Sequence, residues 1–178
     1  MTLNRMISLL TALVLLLCMG TAVAQEEEPI SFDVTDYISS IADLDLSPYR
    51  GKVMALFFYT CNSDEAKATL PVWKRIHDDF DPQDVEIILV HAWENEGQKE
   101  SDAIRERFQL DGMNIYEDQN CTLCHTLGLT SYPNVLLLDA QGSPCSGYSG
   151  QLSYQTIADA LIALNVTQLH NASPAPAQ

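Results

Sequence analysis

Basic residues are scarce in this chain of 178 residues. Nine lysines and arginines stand against 24 aspartates and glutamates, giving a formal net charge of −15. A nucleic-acid or anionic-membrane partner would need a basic face to meet its phosphates, so neither is expected. The acidity reads as a solvated surface, with selection of a basic partner as the lesser alternative. Long hydrophobic runs are also missing. The apolar stretch at residues 7–19 falls short of the roughly 20 residues that cross a bilayer, so no stable membrane insertion is expected. Internal repeats are absent too.

What is present at the start reads as a secretory signal over residues 1–24. Arg5 supplies positive charge, residues 7–19 the apolar core, and Thr21-Ala22-Val23-Ala24 a small-x-small cleavage site before Gln25. A lipid anchor at Cys18 would need a smaller residue than Leu17 before it. The signal is bacterial in style and points to a periplasmic or secreted protein. Without those 24 residues, 154 remain and the charge becomes −16, because only Arg5 of the charged residues leaves. Such a length suits one domain that needs no disulfide to stay folded.

Cysteine is also sparse. Of five, Cys18 leaves with the signal, and Cys61, Cys121, Cys124 and Cys145 remain. An even number in an oxidising compartment permits two disulfides in three connectivities, and the sequence does not choose among them.

Residues 25–48 form an acidic lead-in, loose at first and then alternating apolar and acidic over 32–46, which suits a short helix or strand covering the core. Residues 53–59 are a nearly unbroken apolar run, as a strand buried on both faces requires. Ser63 caps a predicted helix to Phe80, with Asp64 and Glu65 in its first turn and Ala66, Leu70, Trp73 and Ile76 facing inward. Strands are predicted at 85–90, 114–116 and 135–138, and an edge strand at 145–148. Residues 94–97 read as a turn. Further helices are expected at 98–108, at 121–127 ended by Gly128, and at 152–164. Residues 167–178 read as a disordered tail. Strands alternating with helices imply a three-layer α/β domain, one sheet with helices on both faces.

Several words in this order are shared with a known family: Gly51-Lys52-Val53, residues 58–71, the strand at 85–90, Leu127-Gly128-Leu129, Tyr132-Pro133, and Leu136 to Gly142. On them the chain resembles the thioredoxin-like superfamily, most closely its periplasmic TlpA/ResA-type branch, over residues 49–166. The resemblance implies a three-layer thioredoxin-like fold with a central mixed sheet. It also implies a cis proline at Pro133 and a cleft where the backbone of Tyr132 meets a substrate chain. The expected partner is a protein thiol or disulfide in the periplasm, met by a monomer.

The departure lies at the catalytic turn. Counting back from Pro71, the positions that carry the family's CxxC cysteines hold Ser63 and Ala66. A serine cannot perform thiol–disulfide exchange, which needs a thiolate attacking sulfur. Cys61 stands two residues too early, and the peroxide-reducing pattern of related families lacks its proline here.

A second CxxC, Cys121-Thr122-Leu123-Cys124, lies about sixty residues on. At i and i+3 both thiols share one side of a helix. Cys121 would sit at the helix start, where the dipole favours a thiolate, with His125 assisting. The first reading is therefore thiol–disulfide exchange or a redox relay, with Cys121 attacking and Cys124 resolving. Two alternatives stay open. One is a redox-inactive binding module whose cysteines, Cys61 and Cys145 included, form structural disulfides. The other is a carrier of covalent haem c, because Cys121 to His125 spells CxxCH; Met113, His91 and His77 are second-ligand candidates by type only. Otherwise no cofactor is expected. Zinc at Cys121, Cys124 and His125 lacks a fourth ligand, so no metal site is assigned. His77 reads as an exposed polar residue, His91 as a satisfied loop residue, and Trp73 and Trp93 as packing. Asn120, Asn165 and Asn171 head Asn-x-Ser/Thr matches that matter only in a eukaryotic secretory route.

Overall fold

The structure, a computed structural model, describes residues 34–93 and 97–169. The signal segment with Cys18, the first part of the lead-in, most of the turn at 94–97, and the residues after 169 lie outside them.

The apolar run becomes β1 (Val53–Tyr59), buried at every position. It occupies the centre of a five-stranded sheet ordered β3-β2-β1-β4-β5. It runs parallel to β2 (Val85–Trp93) and antiparallel to β4 (Asn134–Leu138). β3 (Asn114–Gln119) continues the parallel side, and β5 (Pro144–Ser149) closes the antiparallel edge. The sheet is therefore mixed.

Side-chain alternation along a strand divides the core in two. Val53, Ala55, Phe57 and Tyr59 face α2 (Asp64–Asp79) and α5 (Tyr154–Ala163), packing with Ala66, Leu70, Trp73, Ile76 and Leu161. Phe57 and Trp73 meet at 5.3 Å between ring centroids. Met54, Leu56 and Phe58 face the other way, against Ile38 of α1 (Val34–Ile41) and Leu123 and Cys124 of α4 (Thr122–Thr126). The lead-in thus supplies a helix that covers the second face, followed by a 3-10 turn at Ser47–Tyr49. The remaining helix, α3 (Gly97–Arg107), joins β2 to β3.

Three expectations need correction. Both β2 and β3 run three residues further than their apolar stretches. His91, Ala92 and Trp93 pair with Glu117, Asp118 and Gln119. The ladder is made by backbone groups, so polar side chains extend it wherever they find partners. The helix expected at 121–127 is only five residues long, with Cys121 at its N-cap in left-handed geometry (φ 52°). Finally, residues 167–169 do not leave the surface. Thr167 N–H donates to Asp84, Leu169 N–H donates to the Asp79 carbonyl, and Gln168 bridges to Phe80.

Candidate functional site

The parallel strands β1, β2 and β3 end side by side, with Tyr59, His91 and Glu117 in register. Ligand sites in α/β sheets favour this edge, beyond the carboxyl ends of the strands. A polar cleft of about 280 Å³ opens there, bordered by Thr60, Asn62, His91, Trp93, Cys121 and Tyr132 among others.

Ser63 shapes one wall. Its Oγ accepts from Ala66 N–H at 3.1 Å, capping α2, and donates to the Tyr132 carbonyl at 3.2 Å. The Tyr132–Pro133 peptide bond is cis. Ala66 is fully buried. The turn that would hold a thiol pair is thus filled by a capping hydroxyl and an enclosed methyl.

Cys121 and Cys124 form the opposite wall, and both belong to the apolar cluster on that face. Cys121 reaches the cleft at 8% exposure, whereas Cys124 is fully enclosed. Burial pushes the Cys124 thiol up to about 12, and the neighbouring Asp118 carboxylate pushes the same way, against a hydrogen bond with Tyr132. Asp118, itself buried, accepts from the N–H groups of Leu123 (2.9 Å) and Cys124 (3.0 Å). The expected dipole assistance therefore fails: the helix is short, and a carboxylate occupies its donors. His125 is exposed, and its place on the helix is away from the enclosed thiol.

Nor does CxxCH suit haem attachment in this fold. Thioether bonds need both sulfurs at an accessible edge, and Cys124 has no exposure. For zinc, the described residues include no group of three or more His, Cys, Asp or Glu side chains placed to hold a metal.

No disulfide joins the four described cysteines. Cys61 and Cys145 are not brought together. Cys145 lies beside Leu137 and Leu138, which pair with the start of β1, whereas Cys61 follows its end. The Cys145 thiol donates to the Leu137 carbonyl at 3.2 Å. β2 separates the strands that lead to Cys61 and Cys121.

The residues that the sequence reading missed lie beside Cys61. The Cys61 sulfur stands 2.9 Å from His91 Nε2, and His91 Nδ1 stands 2.8 Å from Glu117 Oε2. Ser101 Oγ donates to the other Glu117 oxygen. His91 is fully buried, with Tyr59 stacked on it at 5.0 Å. Burial raises the Glu117 carboxyl, but hydrogen bonds from His91 and Ser101 outweigh this and hold it below its usual range. Burial, with Glu100 and Glu117 adding to it, pushes the Cys61 thiol up to about 11, against Lys67. A proton at sulfur, a ring nitrogen to receive it and a carboxylate to orient the ring follow in line. The legible signal was parity: Val85, Ile87 and Leu89 face one side of the sheet, and His91 continues that series.

Compared with known proteins, the family described as Thioredoxin-like matches residues 51–143, more than half of the chain. The chain belongs to the thioredoxin-like family. Among curated protein sequences none matches significantly. Solved structures share the thioredoxin-like fold at low identity. A thiol-disulfide isomerase from Corynebacterium glutamicum is 18% identical, with 68% of this chain and 85% of that one covered, at a TM-score of 0.61. A putative thiol:disulfide interchange protein DsbE from Chlorobium tepidum is 13% identical, with the same coverage and TM-score. The pneumococcal exposed lipoprotein thioredoxin of Streptococcus pneumoniae is 21% identical, covering 66% and 89%, at 0.58. No helix among the described residues is long and apolar enough to cross a membrane.

Proposed function

We propose that this protein is an exported, monomeric thioredoxin-like protein that exchanges disulfides with protein partners, using Cys121 and Cys124 as its dithiol. One observation carries the reading: Cys121 borders the cleft beside Tyr132–Pro133, and Cys124 lies behind it, three residues along the same short helix. Cys121 attacks one sulfur of a partner disulfide, and the partner's other sulfur leaves as a thiol. Cys124 then attacks Cys121, so a Cys121–Cys124 disulfide forms and the second partner thiol departs. Two electrons pass from this protein to its partner. The structural likeness to a thiol-disulfide isomerase and a thiol:disulfide interchange protein supports this class of chemistry.

A second reading is favoured by the enclosure of Cys124 and the proximity of Asp118, which keep that thiol protonated: a binding module whose cleft holds a partner without reducing it. Net reduction of a disulfide peptide separates the two. The exchange reading expects stoichiometric reduction by wild type, its loss in the double variant Cys121→Ser, Cys124→Ser, and mixed disulfides accumulating in Cys124→Ser alone. Equal behaviour of wild type and double variant leaves only the binding module.

A further inference from the structure

Beside the cleft, next to its lining residues Thr60, Asn62 and His91, stands a second thiol, and it is the better equipped of the two for proton transfer. We propose that Cys61, His91 and Glu117 form a nucleophilic-thiol site that rearranges the disulfides of a polypeptide held in the cleft. This rests on the exchange reading above and assigns it a second reacting thiol.

The geometry supports each role. Only a thiolate attacks sulfur, so a protonated thiol needs a base within reach. His91 Nε2 is 2.9 Å from the Cys61 sulfur. His91 is fixed by Glu117 on Nδ1 and by Tyr59 across its ring, and Glu117 is fixed by Ser101. Glu117 is a positioning residue: it keeps the proton on Nδ1, so that Nε2 is the accepting nitrogen, and it stabilises the imidazolium that forms. The charged groups around the pair come from every element packed there. They are Glu117 from β3, Glu100 from α3, which also hydrogen-bonds the Cys61 thiol, and Lys67 from α2, with Tyr59 from β1.

The electrophile is sulfur rather than an acyl carbon. The two backbone N–H groups after Cys61 are already bonded to Thr60, Asn62 N–H to its Oγ1 and Ser63 N–H to its carbonyl. Neither is available to an oxyanion, and a missing oxyanion donor slows acyl transfer by roughly 10²–10³-fold. Sulfur exchange needs no such donor.

Cys61 also lacks a resolving thiol among the described residues, which selects rearrangement over net reduction. Cys61 packs against the apolar cluster on one face of the sheet, whereas Cys121 and Cys124 belong to the cluster on the other, with β2 between the strands that lead to them. Cys145 lies at the other end of β1. The partner itself must then supply the second thiol. In the first step His91 Nε2 takes the Cys61 proton, the Cys61 sulfur bonds one sulfur of the partner's disulfide, and that S–S bond breaks. The departing sulfur takes the proton from His91. In the second step another thiol of the partner gives its proton to His91 and attacks the partner's sulfur in the mixed disulfide. A new partner disulfide forms, and Cys61 leaves and recovers the proton. One disulfide replaces another, with no net oxidation or reduction.

The test is site-resolved alkylation of the full chain by iodoacetamide, read by mass spectrometry, with exposed Cys145 as internal reference. In wild type at pH 7 the Cys61 rate is expected to exceed that of Cys145, although burial pushes the Cys61 thiol up to about 11. A Cys61 rate below that of Cys145 overturns the base assignment. His91→Gln is expected to slow Cys61 at least about tenfold at pH 7; an unchanged rate in a folded variant overturns it. Alkylation of the enclosed Cys124 reports a misfolded variant, in which case the wild-type comparison with Cys145 decides. Chemistry is read with a synthetic peptide carrying one disulfide and one free thiol. Its rearrangement is expected to survive Cys121→Ser, Cys124→Ser and to vanish in Cys61→Ser. The reverse pattern overturns the role of Cys61 and leaves the Cys121/Cys124 reading standing. Rearrangement through Cys61 without net reduction by any variant sinks that dithiol reading alone.

Discussion

Thiols lie behind two walls of one cleft, and they differ in what the backbone places next to sulfur. Beside Cys61 stands a buried imidazole backed by a carboxylate. Beside Cys124 stands Asp118, a carboxylate that accepts from two backbone N–H groups and from the thiol itself. Burial raises both thiols, to about 11 and about 12. Burial therefore does not distinguish them; the neighbour does, an imidazole oriented by a carboxylate beside Cys61 and a carboxylate that only opposes the thiolate beside Cys124. A thiol pair with suitable spacing can be chemically quieter than a single cysteine that spacing rules would pass over.

The largest effect expected from breaking this contrast comes from Asp118→Ala. It would leave the buried N–H groups of Leu123 and Cys124 without acceptors, at about 2–4 kcal/mol of stability. Urea unfolding measures the loss. The Cys61 wall keeps its own hydrogen bonds, so the alkylation rate of Cys61 in the folded variant should match wild type. A parallel fall in that rate would show that the two walls are one unit.

Next comes Glu117→Gln. His91 and Ser101 bond different Glu117 oxygens, and an amide replaces one of them with a donor NH2 and carries no charge to stabilise the imidazolium. Cys61 alkylation at pH 7 should fall about tenfold, equivalent to about 1.4 kcal/mol, and Cys124 should be unaffected. Glu117→Asp, which keeps the charge, should restore part of the rate. A shift of the pH profile marks positioning of His91 rather than a packing defect.

The two walls were unequally legible in the sequence. β1 occupies the predicted 53–59, and Ala66, Leu70, Trp73 and Ile76 are enclosed as their helical spacing implied. Ser63 caps α2 as read. These features follow from local pattern: an apolar run, a 3.6-residue period and a capping hydroxyl. The Cys61 wall was hidden because it depends on pairing across strands. Apolar content ends β2 near Val90, yet the ladder carries His91 into register with Glu117. Neither residue is informative alone, and 26 positions separate them. The Cys121 wall was misread for a related reason. Asp118 is a buried anion that accepts from the first turn of α4 and stands close to Cys124, so it opposes the thiolate that the helix start was expected to favour.

Alkaline pH gives a smaller, graded contrast. Both thiols have folded-state values above the ordinary 9.0. Between about 9 and those values the unfolded chain releases protons that the folded chain retains. Stability is thus fully present below about pH 9 and falls as pH rises, through about 11 for Cys61 and about 12 for Cys124. Denaturation midpoints across pH 8–11 should decline, and Cys124→Ala should flatten that slope more than Cys61→Ala. The opposite order would mean that the Cys124 site admits water.

The smallest effect should come from Ser63, which touches both sides of the comparison equally. Its Oγ caps α2 on the Cys61 side and donates to the Tyr132 carbonyl on the other. Ser63→Ala leaves the buried Ala66 N–H without its acceptor, at about 1 kcal/mol. It removes a tether from the Tyr132 carbonyl without changing any group that takes a proton from sulfur. Stability should drop by that amount while the ratio of Cys61 to Cys121 alkylation stays constant. Ser63→Asn, which keeps a capping oxygen, should recover most of the stability. A changed ratio in Ser63→Ala would mean that the cap sets the spacing of the two walls, and the contrast between them would then be one of geometry rather than of proton acceptors.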